Sequence, residues 1–480
     1  MECFLIYLIK KLNNTIMRYR YNNVLLDKYQ TRAVLCDEKY YLVVAGAGSG
    51  KTLTICAKID YLLNNGIKKN NILCLSFTNE TVNNLKAKLE GVDVMTFHKF
   101  ALNYLPNNNY KICNDYLLKY IIDEYFESII YDGTNKLLDV YLAENEIIKE
   151  KFIQNFKNIC LCFIHTLKAY NYNLNDLYTI IKKTNSFEDK VLLIIIFKIY
   201  YLYEEEKTSQ NLIDFDDLLI LASSYISKIK FFKYKYIIID EYQDTSPLRF
   251  NLIKTIIENF SINLICFGDD FQSIYGFNGC NLDIFLNFKK NIGGKILKLK
   301  YTYRCPKDIV DISYRFIKKN KKQLRKQLIS TRYIKNSINV IYTKNITKTY
   351  YEIIENIDNI LILGRNNKDI NLINNGNISY KNKIVRFLTV HSSKGLESDY
   401  VIIINLIDDY LGFPNKIKEN NIFKYIKKDE YLEEERRLFY VALTRCKNKV
   451  FLLTNKANQS EFINELFKDY KFKIKTFNFN

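Results

Sequence analysis

Short runs of β-branched and other apolar residues recur at 41–45, 72–77, 236–240 and 264–268, each followed by a turn and then a polar or helical stretch. That alternation predicts a parallel α/β sheet. A second series, at 296–299, 360–363, 386–390, 400–405 and 450–453, has the same form, so two α/β lobes are the economical organisation. Between the second and third early strands the texture changes. Residues 101–208 carry long apolar-periodic stretches, at 115–130 and 190–203, with few strand signals, and predict a helical insertion in the first lobe. The expected division is an N-terminal extension over 1–23, a first lobe over 24–100 and 209–280, the insertion over 101–208, and a second lobe over 281–480. The apolar run 3–9 is far shorter than the ~20 residues that span a bilayer. Lys10 and Lys11 follow it without a small-residue cleavage site, so a frayed extension or docking helix is expected there rather than an anchor or a secretory signal.

Composition adds a partner class. The formal charge is +19, which favours a polyanion, because Lys and Arg paired with phosphates release condensed counterions. A general richness in Lys, Asn, Ile and Tyr accounts for that charge equally well. The 11 cysteines are scattered with no C-x-x-C pair, which fits a reducing, intracellular compartment better than a disulfide framework. Cys160, Cys162 and His165 lie close together inside an apolar helical run and are expected to pack there rather than hold a metal.

Two motifs carry chemistry outright. The run Ala45, Gly46, Ala47, Gly48, Ser49, Gly50, Lys51, Thr52 follows an apolar strand and opens a helical stretch, the context in which a glycine-rich loop wraps phosphates with backbone N–H groups. Lys51 can reach the β and γ phosphates, and the Thr52 hydroxyl can ligate magnesium. Further on, Ile237, Ile238 and Ile239 lead into Asp240, Glu241, Tyr242, Gln243, Asp244 and Thr245, so a strand delivers two carboxylates to its C-terminal end. Asp240 is assigned to the metal and Glu241 to orienting or deprotonating the attacking water. Together these elements predict a nucleoside triphosphatase using ATP and Mg2+, but kinases, transporters and switches share them.

The remaining motifs, in order and wording from about Leu26 to Arg445, resemble the UvrD/Rep/PcrA branch of superfamily 1 helicases. That resemblance implies two RecA-like P-loop lobes with parallel sheets and an ATP-dependent DNA helicase or translocase. Leu26 to Gln30 resembles the adenine-reading motif, with Gln30 as the contact. Gly268 to Phe277 is similar to the third motif, in which Gln272 would sense the γ-phosphate. Tyr303 and Arg304 match the fourth, implying an aromatic on adenine and an arginine on the γ-phosphate. Thr389 to Glu397 resembles the fifth, with Glu397 on the nucleotide side, and Glu433 to Arg445 the sixth, with Arg445 as a second γ-phosphate arginine. Such arginines stabilise charge only when the cleft between lobes closes.

The same resemblance assigns single-strand contacts to Phe77, Thr78, Thr96, His98, Phe215, Tyr275, Phe277, Arg365, Thr389 and His391. Aromatic faces stack on any base without reading sequence, which suits a motor. Core packing is the ordinary alternative for Phe215. Single-stranded DNA and its junctions with duplex are the expected partners, with a loading or processivity protein beside them and no membrane. Action as a monomer or transient oligomer and 3′ to 5′ movement are implied by the resemblance. Three positions depart from the family pattern: Leu53 stands where an arginine commonly completes the adenine clamp, Asn278 replaces an arginine, and Thr302 replaces an asparagine. Only 23 residues separate Arg365 from Thr389, too few for the accessory subdomain that relatives insert there, whereas 115 residues between His98 and Asp214 keep the first-lobe insertion. The short span after Arg445 leads to the expectation that the nuclease domain of RecB-like relatives is not present.

Overall fold

The computed structural model of the chain describes residues 18–105, 110–131, 146–417, 420–428, 431–470 and 474–479. The expectation for the run 3–9 lies outside these. Two six-stranded sheets organise the described residues. The first comprises β1 (Tyr40–Val44), β2 (Ile72–Ser76), β3 (Asp93–Thr96), β4 (Tyr236–Ile239), β5 (Asn263–Gly268) and β6 (Lys295–Lys298), in the order β6-β1-β5-β4-β2-β3. The second comprises β7 (Ile338–Thr343), β8 (Ile360–Gly364), β9 (Val385–Thr389), β10 (Ser398–Ile403), β11 (Cys446–Thr454) and β12 (Lys475–Phe479), in the order β9-β8-β10-β11-β7-β12. All ladders within both sheets are parallel.

The continuous apolar character of the strands follows from burial on both faces. In β1, Leu42 and Val44 enter the core on one side of the sheet while Tyr41 and Val43 enter the core on the other. The second sheet repeats this, with Leu361 and Leu363 of β8 on one face and Ile360 and Ile362 on the other.

One strand sits in a different sheet from the one expected. The run 296–299 was assigned to the second lobe, but β6 pairs with β1 in register Lys295↔Tyr41 to Lys298↔Val44 and so completes the first sheet. The first lobe therefore extends past 280. The apolar pattern identifies a strand but not its neighbour, and here the chain returns to cover the open edge of β1 before crossing over. The crossover is a two-residue parallel ribbon, Tyr301–Thr302 against Ile329–Ser330. Strands β3, β7 and β12 were not anticipated; their runs are short or interrupted by polar residues.

The insertion is helical as expected, built from Asp115–Tyr131, Glu146–Ala169, Leu174–Lys183 and Phe187–Ser209 around its own apolar core. Its entry and exit are tied by Lys111–Ile112 pairing with Leu212–Ile213. It is locked to the first lobe where Lys168 and Lys207, both buried, meet Asp214 at 2.5 and 3.3 Å and Asp217 at 2.8 and 2.5 Å. Asp214 also caps the helix Phe215–Ile226. Among the described residues, Asp214, Asp217 and Glu204 form the one acidic cluster of metal-ligating spacing, and Lys168 and Lys207 each already pair with all three carboxylates. Cys160 is buried in the insertion core and Cys162 is exposed, so they do not converge on His165, which lies 3.7 Å from Asp115. Between Gly364 and Val385 the chain forms two short 3-10 turns, Asn367–Leu372 and Asn374–Gly376. No helix among the described residues is long and apolar enough to cross a membrane.

Candidate nucleotide cleft and strand interface

The C-terminal ends of β1, β4 and β5 converge, which is where open parallel sheets bind ligands. From β1 the chain enters the glycine-rich loop, whose Ala45 N–H donates to Gly268 O at 2.9 Å. Gly48 and Gly50 take the left-handed region at φ 70 and 76°. The loop is also crowded from the second lobe: a Cβ on Gly46 would run into Leu328, and one on Gly48 into Arg304. Small residues are thus required both by the turn and by the approach of the other lobe.

The helix Lys51–Asn64 starts from this loop, and its opening N–H groups have no intrahelical acceptor. The Ser49 hydroxyl is buried with no protein partner. These donors fit phosphate oxygens. Gln30 does not face open solvent; it is buried, closes a capping box with Asp27, and donates to Ser49 O at 3.1 Å. Tyr303, half-exposed, donates to Asp27 at 2.8 Å, which brings it beside the Asp27–Gln30 capping box.

Lys51 is bonded to Glu241 and lies 3.6 Å from Asp240, so the two carboxylates hold its amine in the cleft. Burial pushes the Asp240 carboxyl up to about 6. Burial acts on Glu241 as well, but Lys51 and Lys394 beside it hold that carboxyl well below the usual range. The two adjacent carboxyls are thus pushed in opposite directions, with Lys51 favouring the ionised form of both. Glu241 is also a non-glycine residue at φ 54°, a strained conformation of the kind concentrated at working sites. Gln243 fixes it further, donating to its carboxylate at 2.5 Å and accepting from Asp269 N–H at 2.9 Å. Thr52 and Asp240 line the same cleft and could hold a magnesium ion between them.

The second lobe supplies the opposite wall. Arg304, Arg445, Glu397, Arg332 and Lys447 line one cleft of about 620 Å³ with Lys51, Asp240, Glu241 and Gln272. Arg445 is buried and donates to Gln272 Oε1 at 2.9 Å, Val441 O at 3.0 Å and Leu396 O at 3.3 Å. Arg304 pairs with Glu397 at 2.8 Å, and Lys447 holds the other oxygen of that carboxylate at 2.8 Å. Thr302 donates to Ala47 O at 2.7 Å, so the residue that departs from the family's asparagine still bonds the phosphate loop.

The expected strand contacts fall into two groups. On the first lobe, Phe77 packs on Phe97 at 5.1 Å with Arg249 over its ring, and His98 meets Phe215 at 5.3 Å. Phe215 is 46% exposed, which removes core packing as its role. Between the lobes, Phe277 lies 6.0 Å from Tyr275 and 5.5 Å from His391, and the Tyr275 hydroxyl donates to His391 O. Burial pushes His98 and His391 down to about 4, helped by Arg249 for the first and by Arg365 and Lys394 for the second, so both rings are neutral near pH 7. Thr78 and Thr96 spend their hydroxyls capping the helices Asn79–Lys86 and Phe97–Leu102, and Thr389 bonds Ser392. Arg365 lines the interlobe group but is clamped by buried Glu435 through three hydrogen bonds of 2.7 to 3.2 Å.

Several working residues escaped the sequence reading. Lys394 bonds Asp244 at 2.5 Å and Gln272 O at 2.8 Å and lies 4.7 Å over Tyr275, joining the cleft to the strand group. Arg437 donates to Ser273 O at 2.7 Å, and Glu434 accepts from Gly276 N–H at 3.0 Å. Each lies inside a motif string already singled out, but among other polar or charged residues that give no sign of which one crosses to the other lobe. Lys88 and Arg332, also lining the cleft, had none.

Residues 26–293 match the UvrD/REP helicase N-terminal domain, and residues 370–457 the UvrD-like helicase C-terminal domain. The chain is 27% identical to DNA helicase IV of Escherichia coli, across 91% of this chain and 69% of that protein. It is 32% identical to a probable DNA helicase II homolog of Mycoplasma capricolum, across 64% of this chain and 42% of that protein. With a probable DNA helicase of Mycoplasma pneumoniae it shares 26% identity, across 89% and 83% respectively. The match thus spans less than half of the helicase II homolog and most of the other two.

Proposed function

Because the chain belongs to the UvrD/REP helicase family, we propose that it is an ATP-dependent DNA helicase that moves on single-stranded DNA, 3′ to 5′, and opens duplex at a junction during repair, recombination or replication. The observation that carries this reading is the placement of second-lobe Arg304 and Arg445 on the same cleft as Lys51, Asp240 and Glu241 of the first.

The chemistry follows from these residues. When ATP enters, its phosphates compete with Glu241 for Lys51, freeing the Glu241 carboxylate to orient water and accept its proton. A magnesium ion held by Thr52 and Asp240 would neutralise charge on the phosphate oxygens. Arg304 exchanges Glu397 for the γ-phosphate as the lobes close, and Arg445 with Gln272 reports that phosphate to the strand side. Gln272 O is bonded by Lys394, which lies over Tyr275, so changes at the phosphate reach the aromatic group that would grip bases. Base stacking contributes about 1 to 3 kcal/mol per aromatic contact, against about 1.4 kcal/mol for an average duplex step. The contacts can therefore hold an unpaired strand, while advance needs them reset by ATP.

Partners in this reading are single strands, their junctions with duplex, and a loading or processivity protein, with the motor acting as a monomer or transient oligomer in an intracellular compartment that contains DNA. The test is strand displacement on 3′-tailed and 5′-tailed duplexes with ATP and Mg2+: the 3′-tailed substrate should be opened at least tenfold faster, and preference for the 5′ tail would reverse the polarity. The short turns between Gly364 and Val385 favour a second reading, a translocase that strips bound proteins without unwinding. Displacement of a strand-bound protein with neither duplex opened would select it.

A further inference from the structure

The chain between β10 and the helix Tyr431–Leu443 contains a short segment, 420–428, that leaves the second lobe and packs into the first-lobe insertion. Its 3-10 turn Asn421–Tyr425 starts with Asn420 accepting from Ile422 N–H. Ile422, Phe423 and Ile426 are buried within the insertion core, and Phe423 meets Phe163 edge-on at 5.4 Å. At the surface Lys424 and Tyr425 both reach Asp189, at 2.8 and 2.9 Å.

This docking completes a circuit. The insertion touches the first lobe where a Cβ on Gly279 would run into Ala169, and the two lobes meet through Arg437 on Ser273 O and Glu434 on Gly276 N–H. Where these parts meet lies a chamber of about 530 Å³ that draws its lining from all four: Phe277 of the first lobe, Tyr170 of the insertion, Lys427 and Lys428 of the segment, and His391 and Tyr431 of the second lobe. Phe277 and His391 are the interlobe strand contacts, so a strand held there passes through the circuit. Aromatic faces beside lysines suit unpaired nucleotides, and the volume admits a short stretch of strand but not a duplex.

We infer that residues 420–428 form a strap closing the strand track into a ring, so that a single-stranded polynucleotide is bound topologically as well as by contact, with Tyr170, Lys427 and Tyr431 as additional lining. This rests on the strand-motor reading. The test compares the full chain with Phe423→Asp, which places a charge in the insertion core, and with Asp189→Ala, which removes only the two polar anchors at the surface. Half-lives are measured on circular single-stranded DNA and on a linear oligonucleotide, with heparin added to trap released protein. The wild type should remain on the circle at least tenfold longer than on the linear strand. Phe423→Asp should bring the circle half-life to within about twofold of the linear value, and Asp189→Ala should shorten it at least threefold, with strand-stimulated ATPase at saturating DNA within twofold of wild type. Unchanged circle half-lives in both variants, or a wild type that leaves both substrates equally fast, would overturn the ring. Absence of any strand binding or stimulation would instead count against the motor reading.

Discussion

Replacing Arg445 by alanine is expected to lower strand-stimulated ATP hydrolysis by about 10³-fold or more, within the range that such arginines contribute to phosphoryl transfer. The side chain is 1% exposed and comes from the lobe opposite the phosphate loop. It donates to neutral acceptors, among them Gln272 Oε1 and the carbonyls of Val441 and Leu396. Burial lowers its guanidinium to about 10, so it stays charged near neutrality. A buried cation held by neutral acceptors is costly unless an anion arrives, and in the proposed reaction a γ-phosphate in the shared cleft would be that anion. A 10³ loss corresponds to about 4 kcal/mol. Nucleotide affinity should change far less than turnover, because the interaction strengthens as charge builds in the transition state. Arg445→Lys should recover only part of the rate, since one ammonium cannot serve three diverging acceptors. The check is turnover number and nucleotide dissociation constant measured separately; turnover within tenfold of wild type would remove Arg445 from the reaction.

Lys326→Met is expected to destabilise the protein by about 3 to 5 kcal/mol. The Lys326 amine bonds both Asp269 and Asp270, and all three side chains are at most 2% exposed. It also lies 4.0 Å over the Phe271 ring. Asp270 further accepts from Leu324 N–H at 2.7 Å, and Asp269 from Gln272 at 2.5 Å. Removing the lysine leaves two buried carboxylates without a cation, one of them bonded to Gln272 of the cleft. Lys319→Met is the control: its pair with Glu465 is partly exposed and should cost no more than about 1 kcal/mol. Denaturant midpoints of the two variants check this, and equal shifts would show that the buried trio contributes no more than a partly exposed pair.

How much of this was legible in the residues depends on the range of each interaction. The phosphate loop and the Asp240–Glu241 pair are contiguous and sit at strand ends, so type and spacing announce them. Arg304 and Arg445 lie 141 positions apart and become legible only through the family resemblance of the strings that contain them. Lys326, Lys394 and Arg437 act on residues of the other lobe, and nothing near them in sequence reveals those partners. The strand at 295–298 was recognised but placed in the second sheet, because local pattern does not choose between two exposed sheet edges. Phe215 is exposed in a way its apolar character does not suggest; the capping of its helix by Asp214, itself held by Lys168, turns the ring outward beside His98.

The central claim is that one cleft, built from both lobes, is coupled to the strand through Gln272, Lys394 and Tyr275. The most direct measurement is the steady-state ATPase rate of the full chain with and without saturating oligo-dT. Coupling predicts a slow basal rate that rises at least tenfold on adding the strand. Hydrolysis at the same rate in both conditions would contradict it.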